Sequence, residues 1–309
     1  MPSRWSRVCI VVTPGSGDGR ARGIARRLGR LLRGRRFSVT VVSFDDLQAL
    51  GDWAKTCGPE FSVVFCVGGD ATQSAAARVA RRHRIPFVPI PTGFGNLFAR
   101  VFGHPSSPRR ALALLERGEV RMVDVGIAGD ELFLSHKSYG FLDRIQEQVE
   151  AGRHQPRDRA RRLLAYYRIA VRAVWSTPLA PLRLEVDGTV AVEDAVVVTV
   201  ANVETYRDLL SLTPAASPID GRLDVFAIPR TSKLGLAWRL LKLKLRLPGR
   251  WKAVGLYRGR EVVVTGAHGH DILRVARRVL PLLLPLGAVE QLKRRQVGRE
   301  EDAPVETVA

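Results

Sequence analysis

The chain has 309 residues, enough for two domains, and 46% of them are apolar, enough to build cores of ordinary size. Its 49 lysines and arginines face 30 acidic residues, and the net charge of +19 suits polyanionic surfaces such as anionic lipid headgroups or nucleic acid; zinc-finger spacing and an aromatic RNA-binding signature are both missing, so nothing local selects nucleic acid. The three cysteines, Cys9, Cys57 and Cys66, lack metal-ligand spacing and read as small buried hydrophobes in a reducing compartment, while the longest apolar stretch, Val279 to Val289, is interrupted by Pro281 and Pro285 and is too short to span a bilayer.

In chain order, Arg7 to Val12 reads as an apolar strand, too short for a signal h-region, so no export is expected. The loop Thr13-Pro14-Gly15-Ser16-Gly17 follows, then an arginine-rich helical segment from Ala21 to Leu32. Phe37 to Ser43 is a second strand and Leu47 to Thr56 a second helix. Ser62 to Val67 is an apolar, β-branched and aromatic run that stops at Gly68-Gly69, after which Ala75 and Val79 fall at helical spacing. The arrangement then repeats: Pro86 to Ile90 is a strand, Pro91 to Gly95 a turn, and Asn96 to Val101 a helix start. Glycines in such turns let backbone N–H groups approach a ligand, and the helix N-terminus favours negative charge, so each turn suits phosphate. Two of them facing one crevice suit a nucleotide. The alternating order predicts a parallel sheet with right-handed crossovers and a ligand at the carboxyl ends of its strands.

Arg109 to Glu116 is a further helix, punctuated by Pro105 and Pro108 and ended by Gly118. The periodicity then changes. Arg121 to Ile127 and Glu131 to Ser138 read as antiparallel strands joined by Ala128-Gly129-Asp130, which places a domain boundary near residue 120. A charged stretch runs to Arg162, and Leu163 to Trp175 reads as a basic helix carrying Tyr166 and Tyr167. Leu182 to Val186 and Val190 to Val192 flank the hairpin signal Asp187-Gly188, and Asp194 to Ala201 is a buried strand ending at Asn202. Ser232 to Leu247 is a basic amphipathic helix with Leu234, Trp238, Leu241 and Leu245 on one face; such a helix either packs on its own domain or lies on a membrane surface. The expected organisation is a nucleotide-binding α/β domain over 1–120, a mainly antiparallel β domain over 121–291 and a polar, disordered tail over 292–309.

Gly68-Gly69-Asp70-Ala71-Thr72 and Pro91-Thr92-Gly93-Phe94-Gly95-Asn96 resemble the Gly-Gly-Asp-Gly-Thr and Pro-x-Gly-Thr-Gly-Asn segments of the diacylglycerol kinase and sphingosine kinase family of lipid kinases. Thr13 to Gly17 stands where that family carries Asn-Pro-x-Ser-Gly, and Ser138-Tyr139-Gly140-Phe141 where it carries Ser-x-Gly-Phe. Pro214 to Val225 resembles its Pro-x-Ala and Asp-Gly-x-Leu-Asp-Val motifs, and Asn202 falls where the family has an Asn. The resemblance implies the NAD kinase and diacylglycerol kinase type of fold and an ATP site made by Thr13, Pro14, Gly15, Ser16, Gly17, Ser43, Gly68, Gly69, Asp70, Ala71, Thr72, Gln73, Ser74, Thr92, Gly93, Phe94 and Asn96. It implies Mg²⁺ near Asp70, which also has a catalytic role, and a structural Mg²⁺ on Asp220 with the carbonyls of Ser217 and Arg222. The expected partners are a lipid substrate and an anionic membrane surface, with the protein cytoplasmic and peripherally bound; a homodimer is left open.

Three departures from the family pattern bear on chemistry. Ala71 replaces a Gly, which costs stability only where φ is positive, and Phe94 replaces a Thr, with Thr92 close by to supply a hydroxyl. The family's C-terminal Asp-Gly-Glu, whose Glu is taken as the base, has no counterpart after residue 230, where Thr265 to Asp271 reads TGAHGHD. Asp271 or His270 is then the candidate base, or Asp70 acts alone; His268 and His270 as plain solvated residues is the competing reading. Alternatives to a lipid kinase are a catalytically impaired nucleotide- or lipid-binding relative and an NAD kinase, the latter opposed by the missing Asn-Glu motif.

Overall fold

The computed structural model describes residues 5–15, 19–92, 95–145, 168, 172–207, 210–247, 249–251, 254–267, 269–300 and 306–307. Ser16, Gly17, Gly93, Phe94, His268 and most of the segment from 146 to 171 lie outside the described residues. The chain divides into two compact units, one of Met1–Ser135, Pro218–Gly221 and Ala276–Gly298, the other of His136–Ser217, Arg222–Val275 and Arg299–Ala309.

The first unit opens with β1 (Arg7–Val12), α1 (Arg20–Gly34), β2 (Ser38–Ser43), α2 (Leu47–Thr56), β3 (Val63–Gly68), α3 (Asp70–His83) and β4 (Phe87–Pro91). It continues through α4 (Leu97–Val101), α5 (Pro108–Arg117), β5 (Glu119–Ala128) and β6 (Glu131–Phe133). β1 pairs in parallel with both β2 and β3, and β3 in parallel with β4, so the strand order is β2-β1-β3-β4. Every residue of β3 is buried, as a parallel strand covered on both faces requires. The pleat then sorts the side chains: Val8, Ile10, Val63, Phe65 and Val88 share a core with Ala25, Leu28 and Leu32 of α1 and Ala111 and Leu114 of α5. Cys9, Val11, Val64 and Cys66 alternate with them and are fully buried too, on the side where α3 packs against β3 and α2.

The second unit contains β7 (His136–Gly140), β8 (Leu182–Val186), β9 (Thr189–Ala201), β10 (Tyr206–Arg207), β11 (Leu210–Ser211), β12 (Leu223–Pro229), α6 (Lys233–Lys244), β13 (Gly255–Gly259) and β14 (Glu261–Gly266). The long strand β15 (Gly269–Leu284) gives residues to both units. β9 pairs antiparallel with β7, β8 and β12, and β14 pairs antiparallel with β8 and with the start of β15. Asp187 takes φ 49° and Gly188 φ 83°, the left-handed pair that a two-residue hairpin turn needs. Leu236 and Leu243 of α6 join a core with Val197 of β9 and Phe226 and Ile228 of β12.

Parallel strands in the N-terminal part and antiparallel strands in the C-terminal region agree with the sequence reading. The expected boundary near residue 120 falls inside the first unit, because β5 and β6 pair with each other and β6 packs on α3. A change of periodicity marks where alternation begins; it does not say which core the strand joins. Of the segment 292–309, expected to be a polar disordered tail, residues 292–300 and 306–307 are described. Helix α7 (Ala288–Glu300) covers the first part of it, with Ala288 and Leu292 buried one turn apart, and β16 (Glu306–Thr307) pairs in parallel with β13.

Candidate functional site

From β1 the chain winds out to β2 and then returns across β1 to β3, so the crevice beyond the carboxyl ends of β1 and β3 is the topological switch point of this sheet. Thr13 follows β1 there, Ser43 ends β2 beside Val12, and Gly68 to Asp70 joins β3 to α3. Thr13 Oγ1 lies 3.2 Å from Thr72 Oγ1, which ties the first loop to the first turn of α3. Pro14 is half-buried and Gly15 exposed.

Gly69 is the N-cap of α3 in extended geometry and no side chain caps the helix, so its first N–H groups are the positive end of a 14-residue dipole. Gly68 is required by packing: a Cβ there would stand 2.7 Å from Cβ and Cγ2 of Thr72. Asp70 occupies the first turn with its carboxylate against Gly95, where a Cβ would meet Oδ2 at 2.7 Å. Gln73 is fully buried; its Nε2 donates to the Gly68 carbonyl at 3.0 Å and to Asn96 Oδ1 at 3.3 Å. Asn96 holds φ 49° and ψ 44° at the start of α4, a left-handed conformation that asparagine tolerates. The two glycine turns are therefore joined through Asp70–Gly95 and Gln73–Asn96 within the first unit.

Ala71 lies inside α3 with negative φ, so replacing glycine there strains nothing. The Ser74 Oγ accepts from the Leu134 N–H at 3.2 Å. Thr92 is buried, and neither its Oγ1 nor Gln73 Oε1 has a hydrogen-bond partner among the described residues. Leaving such an atom unsatisfied costs about 1–3 kcal/mol, which a ligand or water recovers. Hydroxyls, an uncapped helix start and unsatisfied polar atoms in one crevice fit a phosphate chain, and Asp70 is the one carboxylate among them.

Asp220 and Arg222 are exposed and Ser217 is buried. Gly221 between them has φ 74° and no room for a Cβ, which would meet Arg277 Nε at 2.4 Å. His270 and Asp271 are exposed on the β14–β15 hairpin, opposite Thr265 and Val264. Asp224, the second carboxylate of the Asp-Gly-x-Leu-Asp-Val run, is structural: buried, it accepts from Nε and Nη2 of Arg258, both at 3.1 Å, and Arg258 also reaches the Ala215 carbonyl.

Asp124 escaped the sequence reading. Buried in β5, it accepts the Gly221 N–H on Oδ2 and the Arg278 N–H on Oδ1, each at 2.7 Å, while its own N–H donates to the Pro218 carbonyl. A carboxylate flanked by Val123 and Val125 in an apolar strand was the available signal. His104 was missed too: buried, it bonds the Leu283 carbonyl through Nε2 at 3.0 Å, and burial pushes its pKa down to about 4. Burial drives the Cys9 and Cys66 thiols upward, and burial with the Glu60 carboxylate raises Cys57 to about 11; all three are free thiols, unfit as nucleophiles.

A parallel sheet in the first unit followed by an antiparallel β unit is the architecture of the diacylglycerol kinase-like fold class. Residues 7–128 match the family described as diacylglycerol kinase catalytic domain, and residues 138–276 the YegS C-terminal NAD kinase beta sandwich-like domain. Proteins named diacylglycerol kinase from two strains of Mycobacterium tuberculosis are each 31% identical over 229 residues, covering 71% of this chain and 72% of theirs. A solved diacylglycerol kinase structure from Bacillus anthracis str. Sterne has the same fold at 18% identity, with a TM-score of 0.65 over 92% of this chain and 98% of that one. The chain belongs to the diacylglycerol kinase family of lipid kinases.

Proposed function

We propose that the protein is an ATP-dependent lipid kinase that passes the γ-phosphate to a hydroxyl of a diacylglycerol- or sphingosine-like lipid. The observation that carries this reading is the Asp70 carboxylate set against Gly95, which brings an acidic group, an uncapped helix start and the second glycine turn to one crevice. Thr13, Thr72, Thr92 and the first N–H groups of α3 would hold the phosphates of ATP, and Asp70 would hold Mg²⁺, which neutralises charge on the transferring phosphoryl group. Positioning and charge neutralisation supply most of the catalysis of phosphoryl transfer, so the missing Asp-Gly-Glu slows the reaction on this reading without abolishing it.

Delivery to a lipid is supported by α6. Leu234, Trp238, Leu241 and Leu245 recur at helical spacing on one side and remain 68%, 53%, 44% and 57% exposed. Leu236 and Leu243 hold the opposite side in the core, so the same helix packs on its unit and presents an apolar stripe outward. Lys242 stands over the Trp238 ring at 5.5 Å, as expected where cations flank an interfacial aromatic.

The test is transfer of labelled phosphate from ATP to diacylglycerol and to sphingosine in anionic mixed micelles, followed by total lipid extract. Labelled lipid that disappears with Asp70→Ala supports the reading. Nucleotide binding without transfer to any lipid would replace it with the impaired relative that the missing Asp-Gly-Glu favours.

A further inference from the structure

At the other end of the first unit's sheet, before β3 and β4 begin, lies an open groove of about 1430 Å³ reached from Ser62 and Pro86. Six cations line it: Lys55, Arg78, Arg81, Arg82, Arg84 and Arg278. Only two carboxylates, Asp130 and Glu131, accompany them. The rest of the lining is largely apolar, with Trp5, Ile85, Val120, Met122 and Val279 among it, and Met122 is 43% exposed.

Part of this charge has an ordinary explanation. Arg81 and Arg82 lie in the last turn of α3, where cations complement the negative end of the dipole, and Arg82 also donates to the Lys55 carbonyl. That account does not reach Arg78, a turn further back, or Arg278, which arrives from β15. Arg78 Nε is buried and has no hydrogen-bond partner among the described residues. A guanidinium N–H desolvated and unsatisfied beside further cations is stable where an anion accepts from it.

We propose that this groove is a second binding site, separate from the glycine turns, that takes one anionic phospholipid molecule. Its phosphate would lie on the guanidinia of Arg78, Arg81 and Arg278, and its acyl chain along Trp5, Val120 and Met122. Inorganic phosphate satisfies only the cationic half, leaving the apolar wall in water, and a neutral lipid satisfies only the apolar half. A concave groove encloses a single molecule, whereas the exposed stripe of α6 suits an extended surface. The inference does not depend on the kinase reading.

The experiment uses the full chain and dihexanoyl phosphatidic acid below its micelle concentration, with dihexanoylglycerol and inorganic phosphate as the other arms, measured by calorimetry. Phosphatidic acid binds at least about tenfold tighter than either, and Arg78→Gln or Arg81→Gln weakens it about tenfold or more, the loss expected for one charge-assisted hydrogen bond to phosphate. A brominated acyl chain quenches tryptophan fluorescence, and Trp5→Phe removes part of that quenching. Equal affinity for inorganic phosphate or for the neutral lipid overturns the proposal. So does unchanged affinity in the arginine variants, or quenching that Trp5→Phe leaves undiminished. Should an arginine variant melt early, Met122→Asp serves in its place, with the same loss expected, and the Trp5→Phe readout stands independently.

Discussion

The Asp70 carboxylate occupies the space that a side chain on Gly95 would need, with Oδ2 2.7 Å from the Cβ position. Gly95 thus serves as the platform on which the acidic group of one turn rests against the backbone of the next. Asp70→Ala is expected to abolish phosphoryl transfer with the melting temperature nearly unchanged. Gly95→Ala should lower transfer at least about tenfold by displacing the carboxylate, at a stability cost of about 1 kcal/mol or less, because only a side chain must move. Turnover and thermal melts of both variants check this. A fully active, folded Asp70→Ala protein would remove Asp70 from the mechanism.

Restoring the family glycine at position 71 is expected to gain nothing. Ala71 is helical, so Ala71→Gly loses helix propensity, about 0.5–1 kcal/mol, and relieves no strain. Denaturant melts read the difference. An increase in stability would show that position 71 wants positive φ after all.

Asp124 is expected to be among the costliest single positions in the first unit. Asp124→Ala leaves the Gly221 and Arg278 N–H groups without their acceptor, and with charge-assisted bonds at about 1.5–3 kcal/mol each the loss is about 3–5 kcal/mol. Asp124→Asn keeps one carbonyl oxygen and should fall between the two. Equilibrium unfolding in urea measures both, and a loss under about 1 kcal/mol for Asp124→Ala would mean that water replaces the carboxylate.

His104 gives the first unit an acid-sensitive element. Its neutral ring donates from Nε2 to the Leu283 carbonyl, while Nδ1 is buried with no acceptor among the described residues, so protonation finds no partner. The folded pKa of about 4 lies below the ordinary 6.5, so the unfolded chain binds the proton more readily. The stability contribution is complete above pH 6.5 and lost as pH falls from 6.5 to 4, about 3 kcal/mol in all. Unfolding free energies across that window, compared with His104→Gln, should show the slope in the native sequence alone.

Local signals carried most of the first unit. The Leu47 to Thr56 helix was legible residue for residue from its periodicity, and the strand into Gly68-Gly69 from an apolar run stopped by glycines. What remained hidden depends on contacts between residues far apart in the chain. Ser74, a phosphate ligand by resemblance, has its Oγ accepting the N–H of Leu134, 60 residues on. Asp124 gains its meaning only from Gly221 and Arg278, 97 and 154 residues away, which no periodicity reports. The polar composition after Leu292 reads as disorder because Lys293, Arg294 and Arg295 are exposed, while the buried positions Ala288 and Leu292 lie at the start of the helix.

The α6 helix yields the last prediction, that the protein binds anionic vesicles reversibly and that binding weakens steeply with salt. The net charge of +19 and the exposed stripe Leu234, Trp238, Leu241 and Leu245 motivate it. Four of the five cations of this segment, Lys233, Arg239, Lys242 and Arg246, are not equivalent. Lys233 donates to the Trp175 carbonyl and Arg239 to the Pro229 carbonyl, so both are turned toward the protein, which of these four leaves Lys242 and Arg246 for the lipid. At about 1 kcal/mol per cation near an anionic surface, screened beyond roughly 8 Å at physiological ionic strength, Lys242→Gln with Arg246→Gln costs about 2 kcal/mol of membrane affinity. The Lys233→Gln and Arg239→Gln pair should cost less than half of that. Trp238→Ala removes a large apolar contact and should weaken binding at every salt concentration. Sedimentation with neutral and anionic vesicles at low and high salt separates the two contributions, and equal pelleting on both lipids would reduce the charge of α6 to solvated surface.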